Sequence, residues 1–180
     1  MDTYAQTLKR GGVGVIPTDT VYGLVASALL PLAVEKLYTL KNRAHEKPCI
    51  VLISSLEDLS LFDISLSQKL QSVLSQYWPG PVSIALPCTS EKLAYLRRGK
   101  ESLAFRLPKN ETLVQLLKES GPLAAPSANP EGLPPATTVG EARGYFGDSV
   151  DFYIDGGTLG GPPSKLISID KDANVLVIRA

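Results

Sequence analysis

Apolar residues come in short runs bounded by glycine and proline, and between those runs they recur at helical spacing. Segments 13–17, 49–54, 82–87, 102–107, 123–126 and 152–154 read as strands, because each is too brief for a stable helix and stops at a breaker. Leu166, Ser168 and Asp170 alternate with Ile167 and Ile169, which predicts a strand over 166–170 with one wet face. The stretch 175–178 pairs with it through the polar turn between them. Helical spacing is plain in Leu66, Leu70, Val73, Leu74 and Tyr77, until Trp78, Pro79, Gly80 and Pro81 end it. A helix after Pro31 buries Val34, Leu37 and Tyr38; another follows the Asn110 cap with Leu113, Leu116 and Leu117 and stops at Gly121 and Pro122. Thr138 and Glu141 have the capping-box spacing for a short helix to Phe146, and residues 1–10 are polar and helical in character. Tight reversals cannot all be joined by crossover helices, so a mixed sheet in a three-layer α+β domain is expected, not a fully parallel, doubly wound one.

Composition narrows the function classes. With 180 residues, 44% of them hydrophobic, residues 1–180 suit a single domain able to bury a core without disulfides or structural metal. Eighteen basic residues balance eighteen acidic ones, which excludes a general phosphate grip on nucleic acid; any RNA role must rest on a local patch. Cys49 and Cys88 sit in apolar stretches without C-x-x-C spacing, as reduced core thiols do. No apolar run approaches the length of a bilayer span, so the expectation is a cytoplasmic protein with no membrane partner.

Four clusters carry candidate chemistry. Pro17, Thr18, Asp19, Thr20, Val21, Tyr22, Gly23 and Leu24 follow the first strand, where small hydroxyls can meet a ligand and Gly23 lets backbone come close; an ordinary Ser/Thr turn feeding a helix is the competing reading. The Gly11, Gly12, Gly14 run lacks the third glycine of the dinucleotide fingerprint, and no P-loop follows it. Lys41 ends the apolar stripe begun by Val34, and a lysine so placed wants an anion. Arg43 and Lys47 join it, and three cations together suit a triphosphate, against the plainer reading of a helix-end charge with solvated neighbours. His45, the one histidine, is assigned no role. In the third cluster, strand alternation puts Ser102, Ala104 and Arg106 on one face, where the arginine can fork onto a carboxylate or simply face water. The fourth, 124–130, lets Ser127 and Asn129 leave a strand together between stiffening prolines, as a rigid turn or as a phosphate or ribose contact. Farther on, Gly156, Gly157, Gly160 and Gly161 lead to Ser164 and Lys165, either a ligand-covering loop or a long reversal. No catalytic triad, H-E-x-x-H or G-x-S-x-G is present; cations and hydroxyls without a strong nucleophile describe a site that positions substrates and neutralises charge.

Taken together and in order, these clusters resemble the Sua5/YciO/YrdC family. The resemblance rests on Pro17 to Leu24, Lys41 and Arg43 with Lys47 and Pro48, the Trp78 to Pro81 turn, the strand ending at Arg106, the Ser127, Ala128, Asn129 element, and Pro163 with Ser164, and it extends over nearly the whole chain. It implies a YrdC/RibB-like domain with a twisted mixed sheet flanked by helices. It further implies that threonylcarbamoyl-adenylate and pyrophosphate are made from L-threonine, bicarbonate and ATP, for N6-threonylcarbamoyladenosine in tRNA. By the same resemblance, Thr20, Arg106, the backbone at Ala125, and Ser164 hold threonine, with Arg106 on its carboxylate. Lys41, Arg43, Lys47, Ser102, Ser127 and Asn129 meet ATP, and Lys41 and Arg43 stabilise charge in the transition state. Mg²⁺ travels with the ATP phosphates and no protein metal site is implied. A downstream tRNA threonylcarbamoyl-transferase complex is the expected partner, with weak tRNA or double-stranded RNA binding left open. Lys41, Arg43, Lys47, Arg106, Ser127 and Asn129 are therefore expected to line one anion-friendly hollow.

Three positions depart from the pattern of longer members: Leu52 where a histidine often faces threonine, Pro135 where a hydroxyl residue is common, and Lys165 where threonine usually follows the serine. They bear on the details of the threonine pocket, and two rival functions stand beside the first. One is a paralogue that adenylates another small acid or transfers a carbamoyl group; the other is a double-stranded RNA-binding ribosome-assembly module.

Overall fold

Short, mostly apolar segments form nine strands among the described residues: β1 (Val13–Ile16), β2 (Gly23–Ser27), β3 (Ile50–Leu52), β4 (Val82–Pro87), β5 (Ser102–Arg106), β6 (Leu123–Ala124), β7 (Phe152–Tyr153), β8 (Lys165–Ile169) and β9 (Val175–Arg179). These lie within residues 3–179, the part of the chain described by the computed structural model; Met1 and Asp2 of the expected N-terminal helix, and Ala180, fall outside it. One sheet results, in the order β7-β1-β2-β6-β3-β5-β4-β8-β9. The pairs β1/β7, β3/β5 and β4/β8 are parallel and the other five antiparallel, so the sheet is mixed, as the tight reversals predicted.

Around it lie α1 (Tyr4–Lys9), α2 (Pro31–Lys41), α3 (Gln68–Leu74), α4 (Ala94–Arg97), α5 (Glu111–Ser120) and α6 (Val139–Phe146). The expected caps form: Asn110 Oδ1 accepts from the Leu113 amide at 2.9 Å, and Thr138 Oγ1 from the Glu141 amide at 3.1 Å. Glu141 turns its carboxylate to Thr137 at 2.7 Å and not back to Thr138, so that box closes on one side only. The pattern over 66–77 yields a shorter helix than its spacing suggested, since Ser67 caps it and Ser75 ends it. No helix among the described residues is long and apolar enough to cross a membrane.

The segment after β1 differs from the reading that it feeds a helix. Instead of feeding a helix, the chain doubles back as β2, antiparallel to β1. All five β2 residues are buried, so no polar alternation marks the strand.

Strand alternation divides the core in two. Val13, Val15, Leu24, Val51, Ile84 and Phe105 belong to the larger cluster with Val34, Leu37 and Tyr38 of α2, Leu74 of α3, and Ala142 and Phe146 of α6. Ile16, Val25, Leu52 and Leu123 point the other way, onto Leu8 of α1 and Leu113 and Leu117 of α5. The domain is thus a sheet flanked by helices, α+β in class. Helices α1 and α5 cover only part of the second face, and the uncovered part is where the site lies.

Candidate functional site

Positions that share the second face, Gly23, Ile50, Ala85, Ala104, Ala125 and Leu166, form the floor of a cavity of about 510 Å³. Gly23 and the three alanines leave room above the sheet, and the volume is in the range of ligand pockets. Arg43, Lys100, Arg106 and Arg179 line it together with the hydroxyls of Thr18, Thr20, Ser102, Ser127 and Ser164. Among the described residues that line it there is no aspartate or glutamate. The hollow is therefore built for anions.

Arg106 ends β5 and is 5% exposed. Its Nη1 donates to Thr20 Oγ1 at 3.1 Å, and Nη2 lies 3.1 Å from Asp19 Oδ1. That second approach is ionic without alignment, since neither Asp19 oxygen receives a hydrogen bond and Arg106 Nε has no acceptor. Burial pushes the Arg106 pKa down and Asp19 pushes it back up. Ser164 Oγ meets the fully buried Ser83 Oγ at 2.9 Å, and Arg179 Nη2 donates to the Ser164 carbonyl at 2.7 Å. The Ala125 amide is committed to Ile50 O at 2.8 Å, so this backbone can serve a ligand only from its carbonyl side.

Arg43 follows the left-handed C-cap Asn42 of α2. It donates through Nε to Lys47 O and through Nη2 to Pro48 O, each at 3.0 Å, which fixes its guanidinium at the cavity wall. The loop is braced from behind: Tyr38 Oη donates to Lys47 O at 2.7 Å, and Arg98 lies 3.9 Å over the Tyr38 ring while contacting His45 Nδ1.

Half of the expected nucleotide set is placed elsewhere. Arg43, Ser102 and Ser127 line the cavity; Lys41, Lys47 and Asn129 do not. Lys41, 2% exposed, donates to Ser127 O at 2.7 Å, Asn129 O at 2.8 Å and Asn129 Oδ1 at 3.0 Å. Asn129 in turn accepts from Ser127 Oγ at 2.6 Å and donates to Leu133 O at 2.6 Å. The buried ammonium did need oxygen acceptors, but carbonyls and an amide supply them, and the result is a clip holding Ser127 at the cavity edge. Burial, with Arg43 nearby, pushes the Lys41 pKa down to about 8. Lys47 pairs at the surface with Glu131, whose other carboxylate oxygen accepts the Ala44 amide at 2.5 Å. Those two bonds hold the Glu131 pKa below the usual carboxylate range.

A family model described as telomere recombination, Sua5/YciO/YrdC, matches residues 6–180. The chain belongs to the Sua5/YciO/YrdC family. A relative from Bacillus subtilis named threonylcarbamoyl-AMP synthase is 34% identical over 176 residues, which are 96% of this chain and 51% of that protein. One of the same name from Marinobacter nauticus is 36% identical over 91% of this chain and 88% of its own length. The crystal structure of Pyrococcus abyssi Sua5 complexed with L-threonine superposes with a TM-score of 0.84 at 32% identity, over 91% of this chain and 49% of that one. The chain therefore spans about half the length of the Bacillus and Pyrococcus proteins.

Where this chain departs from the Sua5/YciO/YrdC pattern, the consequences differ by position. Leu52 is fully buried in the second core cluster and does not line the cavity; Pro135 lines it; Lys165 is exposed at the start of β8. Four lining or backing residues were not singled out from sequence as site residues: Lys100, Arg179, Ser83 and Asp19. Lys100 had a signal, because it continues the alternation of Ser102, Ala104 and Arg106 by one step backwards. Arg179 had none, since an irregularity between Leu166 and Ile167 shifts the register of β8 against β9.

Proposed function

We propose that this Sua5/YciO/YrdC protein makes threonylcarbamoyl-adenylate and pyrophosphate from L-threonine, bicarbonate and ATP, and so supplies the group that forms N6-threonylcarbamoyladenosine in tRNA. The reading is carried by one observation: four cationic side chains and, among the described residues, no aspartate or glutamate line a cavity large enough for a ligand, with Arg106 and Thr20 paired in one corner. The names of the curated relatives and the L-threonine of the Pyrococcus structure support it.

In this reading Arg106 forks onto the threonine carboxylate, beside Thr20, Ser164 and the Ala125 carbonyl. The amine nitrogen bonds to the carbon of bicarbonate with loss of water, giving a carbamate. A carbamate oxygen then attacks the α-phosphorus, and the bond to pyrophosphate breaks with its electrons leaving on that group. Arg43 faces the charge that develops, Ser102 and Ser127 bond the nucleotide, and Lys100 and Arg179 add positive potential. Lys41 and Asn129 act through Ser127, and Lys47 reaches the nucleotide by leaving Glu131. Mg²⁺ would travel with the ATP phosphates and share their charge. The adenylate is consumed in the cytoplasm by a tRNA-modifying transferase complex, and any direct RNA contact is weak.

Mass spectrometry of the product formed with ATP, bicarbonate and L-threonine or L-serine, alongside pyrophosphate release, tests this. A threonine-dependent adenylate is expected, and Arg43→Ala should lower its rate at least about 100-fold with an unchanged circular dichroism spectrum. Pyrophosphate release indifferent to threonine, or wild-type turnover in Arg43→Ala, would overturn the assignment.

A further inference from the structure

A hydroxyl has one proton to give. Thr18 Oγ1 lies 2.6 Å from the Val21 carbonyl oxygen, which can only accept, so the Thr18 proton is committed there. The Thr18 and Thr20 hydroxyls are 3.1 Å apart, and with Thr18 already donating, Thr20 must be the donor between them. The amides of Thr20 and Val21 also approach Thr18 Oγ1, at 3.2 and 3.3 Å, long contacts that share its two lone pairs with the Thr20 hydroxyl. Arg106 is a donor without acceptor capacity, and its Nη1 gives Thr20 Oγ1 a bond at 3.1 Å. These contacts are met by one proton order, Arg106 to Thr20, Thr20 to Thr18, Thr18 to Val21. Thr20 keeps one lone pair and no proton for anything that enters the cavity it lines.

We infer that Thr18 is a positioning residue that makes Thr20 a hydrogen-bond acceptor towards the cavity, so that Arg106 and Thr20 together read an anion beside a donor on the same ligand. This deepens the proposed function and rests on its placement of L-threonine. Two groups of that substrate qualify as the donor, the α-amine and the β-hydroxyl. An amine remains a donor after it becomes a carbamate N–H, so an acceptor at Thr20 fits the substrate on both sides of the carboxylation step. A ligand presenting a second acceptor at this corner would set lone pair against lone pair.

Isothermal titration calorimetry tests the inference with L-threonine, L-2-aminobutyrate, which lacks the hydroxyl, and the matching 3-hydroxybutyrate, which lacks the amine. The wild type should bind L-threonine at least about tenfold more tightly than the analogue missing the donor that Thr20 accepts. Thr18→Val should reduce that preference to within about twofold by freeing the Thr20 proton, and Thr18→Ser, which keeps the hydroxyl, should retain it. Thr20→Val offers a second route: the same preference must vanish there, even if Thr18→Val fails to fold. A preference that persists in a folded Thr18→Val or in Thr20→Val, or a wild type with no preference against either analogue, would overturn the inference alone. Failure of the wild type to bind L-threonine would instead overturn the substrate reading.

Discussion

Removing the charge of Asp19 while keeping its shape is a sharp test of how this cavity holds its arginine. Asp19 Oδ1 lies 3.1 Å from Arg106 Nη2, and both side chains are largely buried. At that distance and an effective dielectric constant of about 20, two unit charges attract by about 5 kcal/mol. Desolvation offsets much of this, and removing one partner of a buried pair typically costs about 3–5 kcal/mol because the other charge is left uncompensated. The low end applies here, since no guanidinium N–H is aligned on either Asp19 oxygen and Arg106 borders a cavity that water can enter. Asp19→Asn should therefore lose about 3 kcal/mol, which for a chain of this size lowers Tm by roughly 6–12 °C.

A carboxylate ligand forked onto Arg106 would supply the missing negative charge. Saturating L-threonine should then raise the Tm of Asp19→Asn by more than that of the wild type, which by linkage means that the variant binds it more tightly. L-Threoninamide, with no carboxylate, should give no such extra gain. Differential scanning calorimetry of both proteins, free and with each compound, decides the matter. A ligand-free Tm within about 2 °C of wild type would show that Asp19 does not compensate Arg106. Equal stabilisation of both proteins by L-threonine would show that the carboxylate does not take its place.

Two further predictions concern parts of the fold around the site. The Lys41 pKa is pushed down to about 8 in the fold, below the ordinary lysine value it has when unfolded, so between those values the unfolded chain binds more protons and stability should rise with pH. Relative to Lys41→Met, wild-type stability by urea denaturation should increase by roughly 2 kcal/mol from pH 7.5 to 9.5; a flat difference would mean that the clip removes the cost of burying the charge. A Cβ at residue 14 would sit 2.2 Å from the Phe152 ring, so Gly14→Ala should lower the urea midpoint by about 1–3 kcal/mol of stability, and Phe152→Leu in the same chain should recover part of it.

What the sequence disclosed follows from how locally each feature is determined. The face of β5 that carries Ser102, Ala104 and Arg106 was readable because a strand repeats every two residues and Leu103 and Phe105 are unambiguously apolar. Strand β2 was not readable, because burial on both faces erases that repeat. Lys41 shows the limit most clearly: an apolar stripe ending in lysine did announce a buried cation in need of oxygen. The oxygens, however, belong to Ser127 and Asn129, 86 and 88 residues away, and no local pattern distinguishes a backbone carbonyl from a phosphate. Lys47 is the same case, since its partner Glu131 lies 84 residues on.

The cavity and the charges around it have a common origin in how the second sheet face is covered. Where α1 and α5 lie, the strands present Ile16, Val25, Leu52 and Leu123; beyond them they present mostly Gly23, Ala85, Ala104 and Ala125, with Ile50 and Leu166 the larger members. Bare sheet built largely of glycine and alanine exposes less apolar surface to water than a floor made wholly of leucines would, so leaving it unroofed costs less. The cations reach this bare floor from well-separated parts of the chain, Arg43 from the end of α2, Lys100 and Arg106 from the two ends of β5, and Arg179 from β9. The carboxylate that compensates Arg106, Asp19, stands behind it, and Glu131 holds Lys47 away from the cavity. An incoming anion thus meets positive charge that the fold has already partly stabilised, with no aspartate or glutamate among the described residues that line the cavity. That arrangement lets the buried Arg106 persist and still favour an incoming anion.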